Sequence, residues 1–86
     1  MGKARSNLAK HGVGFEEAST IFGDSLSLTI PDPEHSLREE RYITMGKEFT
    51  GKLLIVVHTE RGNNIRIISA RPASRGERKF YEKVTE

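Results

Sequence analysis

Between Leu53 and Thr59 the chain runs Leu-Leu-Ile-Val-Val-His-Thr, and no other stretch constrains the fold as much. Ile55, Val56 and Val57 are β-branched, stiff at χ1 and suited to a pleated surface. A run that is apolar on both faces belongs in the middle of a sheet. It is far too short to span a bilayer, which takes about 20 apolar residues. Arg61-Gly62-Asn63-Asn64 follows, and glycine and asparagine tolerate the positive φ that a tight hairpin demands. Ile65 to Ala70 is therefore the returning partner strand. Pro72 ends it, because proline supplies no ladder donor.

The rest of the chain is arranged around that hairpin. Ala4, Leu8 and His11 mark one face of a helix over 3–11, and Gly12 suits the left-handed position beyond its end. Phe15, Ala18 and Phe22 mark a second helix over 15–22, broken by Gly23-Asp24. The period then changes to two: Leu26, Leu28 and Ile30 alternate with Ser25, Ser27 and Thr29 as a half-buried strand. Pro31-Asp32-Pro33 closes it, and 31–40 is a polar connector. Arg41 to Lys47 forms the next strand, and Phe49-Thr50-Gly51-Lys52 a turn. Ser74-Arg75-Gly76-Glu77 fits a capping box opening a last helix, weakened slightly by Gly76, with Phe80 and Val84 packing inward. The expected fold is α+β in one domain: two N-terminal helices, a four-stranded antiparallel meander and a C-terminal helix.

Several chemistries are excluded. The 86 residues include no cysteine, so there is no disulfide, thiolate metal site or cysteine nucleophile. No glycine-rich phosphate loop, His-Glu-X-X-His or Gly-X-Ser-X-Gly pattern occurs. Met1-Gly2-Lys3-Ala4-Arg5 leads into no hydrophobic stretch, so no signal peptide and no membrane contact are expected, and a soluble intracellular domain is the default. His11, His35 and His58 sit on three different elements, a weak basis for a metal site.

Charge is uneven. Residues 61–86 carry seven basic side chains against three acidic ones, while 23–60 carry four against seven. The asymmetry suits a polyanion or an acidic partner; a solvated basic helix is the plainer reading. Arg61, Arg66 and Arg71 lie on or beside the hairpin, and Arg75 and Arg78 near a helix N-terminus. Guanidinium groups bind phosphate bidentately, and helix N-termini attract anions. The alternative is salt bridging to Glu39, Glu40, Glu60 and Glu77. Strand alternation places Arg66 and Arg71 on opposite faces, so they share a site only if a bulge intervenes or Arg71 lies beyond the strand end.

Three blocks make the sequence resemble the BrnT toxins of bacterial type II toxin–antitoxin systems. They are Lys3-Ala4-Arg5-Ser6-Asn7-Leu8-Ala9-Lys10-His11-Gly12-Val13 with Phe15-Glu16-Glu17-Ala18; Asp32-Pro33-Glu34-His35-Ser36 with Glu39-Glu40-Arg41-Tyr42 and Gly46; and Val57-His58-Thr59-Glu60-Arg61 with Arg66-Ile67-Ile68-Ser69-Ala70-Arg71 and Glu77-Arg78-Lys79-Phe80-Tyr81. The resemblance implies a RelE-like fold, RNA cleavage that inhibits translation and growth, and neutralisation by a BrnA-type antitoxin whose ribbon-helix-helix domain binds operator DNA. It also implies a short strand ahead of the lysine, where this chain has Met1-Gly2; the expected consequence is an exposed sheet edge that weakens fold or site.

Metal-independent RNA cleavage needs cationic donors, a base and an acid, and no cofactor. Arg71 and Arg66 are the expected donors, with Arg61 a third and Arg75 and Arg78 as RNA contacts. His11, Glu39, His35 and His58 are the candidates for proton transfer. Three have a structural alternative, His11 bonding helix carbonyls, Glu39 paired with an arginine and His58 half-buried; for His35, in a polar loop, either reading is open. Tyr81 stacks a base or belongs to the core rim. A competing function is a binding module that captures the antitoxin and assembles a repressor with little catalysis. Direct DNA binding is disfavoured, since no recognition helix is apparent.

Overall fold

A computed structural model describes residues 2–32 and 40–86. Helix α1 (Gly2–His11) and helix α2 (Phe15–Ser19) are followed by a 3-10 turn (Thr20–Gly23), strands β1 (Leu28–Pro31), β2 (Arg41–Lys47), β3 (Leu53–Arg61) and β4 (Asn64–Pro72), and helix α3 (Arg75–Thr85). The strands form one antiparallel sheet in the order β1-β2-β3-β4. This is the expected α+β fold, with β3 in the interior of the sheet.

Local chemistry sets the boundaries. Gly12 adopts φ +70° and donates its N–H to the Leu8 carbonyl at 2.8 Å, ending α1 as expected. The second helix is shorter than its apolar stripe predicts. Ser19 and Thr20 donate their hydroxyls to the carbonyls of Glu16 and Glu17, both at 2.7 Å, and the backbone tightens into the 3-10 turn. The first strand starts late for a similar reason: Asp24 accepts the Leu26 N–H at 2.9 Å and holds 24–27 as a turn. The β3–β4 hairpin closes with Arg61 opposite Asn64 and Gly62 at φ +59°, the positive value a two-residue loop requires at its first position.

The core lies between one sheet face and the N-terminal helices. Val13, Ala18, Ile21, Leu54, Val56 and Ala70 are buried together, with Phe22 and Ile67 packed against them. Burying each large aliphatic side chain contributes about 1.5–3 kcal/mol. His58 joins this face rather than standing half-buried: it is 1% exposed, with Nε2 2.7 Å from Thr44 Oγ1 and its ring edge-on to Phe22.

Three apolar stripes are corrected. On α1 the residue turned inward is Asn7, while Leu8 is 54% exposed. The Asn7 amide satisfies backbone groups at the edge of β4, which a leucine cannot do. On α3 the buried residue is Tyr81, while Phe80 and Val84 are about half exposed. The helix is rotated by two polar ties one turn apart, Glu77 to Arg71 and Tyr81 to Asp24. In the first strand Ile30 is exposed, because its partner Ile43 puts it on the sheet face away from α1 and α2.

Candidate functional site

The register of β4 decides where the arginines go. Val57 pairs with Ser69 and His58 pairs with Ile67, so Ile68 is an extra residue in β4. This is a β-bulge, and it restores parity between Arg66 and Arg71. Arg66 lies opposite Thr59 and Arg71 opposite Ile55, and Thr59 and Ile55 share a face. The same register puts Arg61, Arg41 (opposite Thr59) and Lys47 (opposite Leu53) on that face. Strands β2 to β4 thus present five basic side chains on the face away from α1 and α2 and no carboxylate there; Glu60 falls on the other face. Arg41 and Lys47 escaped the sequence reading, although the alternation along 41–47 pairs them with this side.

Helix α3 folds back over one end of this face. Arg71 donates Nη1 to Glu77 Oε1 at 2.8 Å and Nη2 to Glu77 Oε2 at 2.7 Å. The pair is two-pronged and charge-assisted, the strong form of such contacts. Arg71 beside it, with the Ser74 amide, holds the Glu77 carboxyl at about 2, and the guanidinium is pushed up in turn. Glu77 also completes the expected capping box: its Oε1 accepts the Ser74 N–H at 2.8 Å, and its own N–H donates to Ser74 Oγ at 3.2 Å. The anion at the N-terminus of α3 is therefore Glu77, and of the two partners open to Arg71, a phosphate or a carboxylate, the carboxylate is the one in place. Arg75 and Arg78 are exposed in the first turn of this helix, Arg66 is exposed on β4, and Arg61 sits exposed at the hairpin.

Tyr81 is turned inward. It is 3% exposed and donates its hydroxyl to Asp24 Oδ2 at 2.7 Å, and Lys47 Nζ lies 5.8 Å from its ring centroid. Burial and the Asp24 carboxylate push the phenol up to about 12. The ring has no free face for a base, so of its two readings the core rim holds and the RNA contact does not; Tyr81 ties α3 to the turn ahead of β1. Asp24, which no sequence motif marked, accepts three bonds there: Tyr81 Oη, the Lys47 N–H at 2.8 Å and the Leu26 N–H.

His11 is exposed at the end of α1 and lines a cleft of about 190 Å³ with Lys3, Ser6, Lys10 and Ser69. Ser69 faces with the arginines, so the cleft opens at the β4 edge that the two faces share. His58 is withdrawn from any proton transfer at this face by its burial among Phe22, Thr44 and Tyr42. Glu39 and His35 lie outside the described residues. Among the described residues no group of three His, Cys, Asp or Glu side chains converges to hold a metal ion.

Residues 1–77 match the family model described as ribonuclease toxin, BrnT, of type II toxin–antitoxin system. The chain belongs to this family. The BrnT match covers α1 through the capping box of α3 and therefore the whole arginine face. As a type II toxin–antitoxin family, BrnT implies ribonuclease activity and an antitoxin partner. Comparison with curated proteins gave no match. Among the described residues no helix is long and apolar enough to cross a membrane.

Proposed function

We propose that this chain is an endoribonuclease toxin that cleaves RNA without a resident metal, with the arginine face of the sheet as its phosphate-binding surface. The observation that carries the reading is the bulge at Ile68, which gathers Arg66 and Arg71 with Arg41, Lys47 and Arg61 on one face. In such a cleavage the ribose 2′-oxygen attacks phosphorus and the bond from phosphorus to the 5′-oxygen breaks. The 2′-hydroxyl proton goes to a base and the departing oxygen receives a proton from an acid, leaving a 2′,3′-cyclic phosphate and a 5′-hydroxyl. Arg71 and Arg66 stabilise the extra negative charge on the pentacoordinate phosphorus, and Arg61, Arg75 and Arg78 hold flanking phosphates. His11, at the β4 edge, exchanges the proton, since an imidazole has one nitrogen to accept and one to donate; Glu39 is the second candidate for that role. Translation and growth stop as a consequence, and a BrnA-type antitoxin, which carries the operator-binding domain, neutralises the toxin.

The test is induced expression with and without the antitoxin, paired with cleavage of purified RNA in EDTA. Growth arrest, antitoxin rescue and EDTA-resistant cleavage are expected. Arg66→Ala and Arg71→Ala should each lower cleavage by about 10²–10³-fold. A double variant that cleaves like the parent overturns the assignment. Folded protein that binds antitoxin but neither cleaves nor arrests growth establishes the binding-module alternative instead.

A further inference from the structure

The Arg71 guanidinium has five N–H groups, and contacts among the described residues account for three. Nη1 donates to Glu77 Oε1 and, at 3.2 Å, to the Pro72 carbonyl, while Nη2 donates one hydrogen to Glu77 Oε2. Glu77 therefore grips the outer end of the fork. The remaining Nε–H and the second Nη2–H lie side by side along the other edge of the plane. That edge is itself a two-pronged donor, with the geometry that matches two oxygens of a phosphate. Arg71 keeps 43% of its side-chain surface exposed.

We infer that Glu77 is a positioning residue for RNA cleavage: it fixes the plane of Arg71 so that the Nε–Nη2 edge, and not the outer end, meets the scissile phosphate. The inference rests on the proposed role of Arg71. It also links that role to α3, because the same Glu77 carboxylate caps the helix at Ser74. Ordering a long arginine before the substrate arrives removes an entropy cost from the reaction, which is how a group that touches no substrate can change rate.

The test uses Glu77→Gln in a Gly76→Ala background. A Cβ at Gly76 meets nothing within 4 Å, so the alanine supports α3 against loss of the charged cap. Glutamine retains an acceptor for the Ser74 amide and loses the charged two-pronged grip. With mixed-sequence RNA in EDTA, kcat should fall about 10–100-fold relative to Gly76→Ala, with KM within about twofold, and Glu77→Asp should recover part of the loss. The Arg71 Nε–H proton resonance should be narrow and shift on titration with a 2′-O-methyl RNA oligonucleotide, which binds without reacting. In Glu77→Gln it should broaden and shift less. Unchanged kcat overturns the inference and leaves Glu77 a helix cap. Increased kcat also overturns it, since Glu77 would then compete with the phosphate. If Arg71→Ala cleaves like the parent, the catalytic reading of Arg71 fails first and the positioning role falls with it. If the parent does not cleave at all, the resonance still decides: a shift with the oligonucleotide that depends on Glu77 supports the geometry, and no shift in the parent overturns it.

Discussion

Asn7 and Ala70 meet across 63 residues of sequence as two strands would. The Asn7 amide donates Nδ2 to the Ala70 carbonyl at 2.7 Å and accepts the Ala70 N–H on Oδ1 at 2.9 Å, and it donates again to the Val13 carbonyl at 2.9 Å. A side chain thus completes the outer edge of β4 where α1 crosses it. Asn7→Ala leaves three buried backbone groups without partners, each worth about 1–3 kcal/mol when water cannot replace the bond. The expected loss is about 3 kcal/mol in urea unfolding, and Asn7→Asp should lose nearly as much because it cannot donate. A loss under about 1 kcal/mol would show that water enters the edge and that the amide pairing is incidental.

Two glycines should respond in opposite directions. A Cβ on Gly46 would stand 3.1 Å from Ser27 Cβ and 3.3 Å from both Ile21 Cβ and the Ile21 carbonyl, so the 3-10 turn lies directly on β2. Gly46→Ala should cost about 1–3 kcal/mol by overpacking. Gly76→Ala, in the open first turn of α3, should gain up to about 1 kcal/mol. Thermal melts of the two variants check the contrast; equal shifts would mean that the contact at Gly46 relaxes freely.

The sequence was most readable where one local rule acted alone. The aliphatic run of β3, the Gly62 hairpin and the Ser74–Glu77 box follow from propensity and spacing within a few residues. Asn7 was unreadable because apolar periodicity has no place for an amide that pairs with a distant strand. On α3 Phe80 and Tyr81 are adjacent, and only the contact with Asp24, far away in sequence, decides which turns inward. The arginine site was readable in composition and undecided in geometry. Whether Arg66 and Arg71 share a face depends on the bulge at Ile68, and nothing in Arg-Ile-Ile-Ser-Ala-Arg announces which residue drops out of the ladder. Glu77 was one of several carboxylates open to the arginines.

His58 should make stability depend on pH. Burial pushes its imidazole below its ordinary value, against an opposing pull from Glu60. Around it, Thr44 and Phe22 face the ring, and Tyr42, whose hydroxyl donates to Glu40 at 2.6 Å, stacks on it at 5.9 Å. The tautomer protonated on Nε2 donates to Thr44 and leaves no buried N–H unpaired. A folded-state value below the unfolded one means the unfolded chain binds more protons, so stability is complete above about pH 6.5 and falls as pH drops below it. Between pH 7 and 5 stability should fall, and His58→Gln should remove that fall. The difference between the two pH profiles isolates His58 from other titrating groups; parallel profiles would place the proton elsewhere.

The arginine face makes a quantitative prediction about salt. Binding of single-stranded RNA releases counterions for each phosphate neutralised, and log K falls against log salt with a slope of about −0.7 per contact. Arg66 is exposed and shares its face with four other basic side chains, all from β2 to β4. If it neutralises one phosphate, Arg66→Gln should reduce the steepness of that slope by about 0.7 and weaken binding by a similar factor for every RNA sequence, because phosphate contacts carry no base information. Lys79→Gln, on the exposed side of α3, serves as the comparison: losing that charge should move the slope little. Anisotropy titrations of a labelled 2′-O-methyl RNA over 50–300 mM salt, about the range in which such slopes are read, separate the two. An Arg66→Gln slope equal to the parent's would remove Arg66 from the RNA path and leave the common face of Arg66 and Arg71 without the role assigned to it.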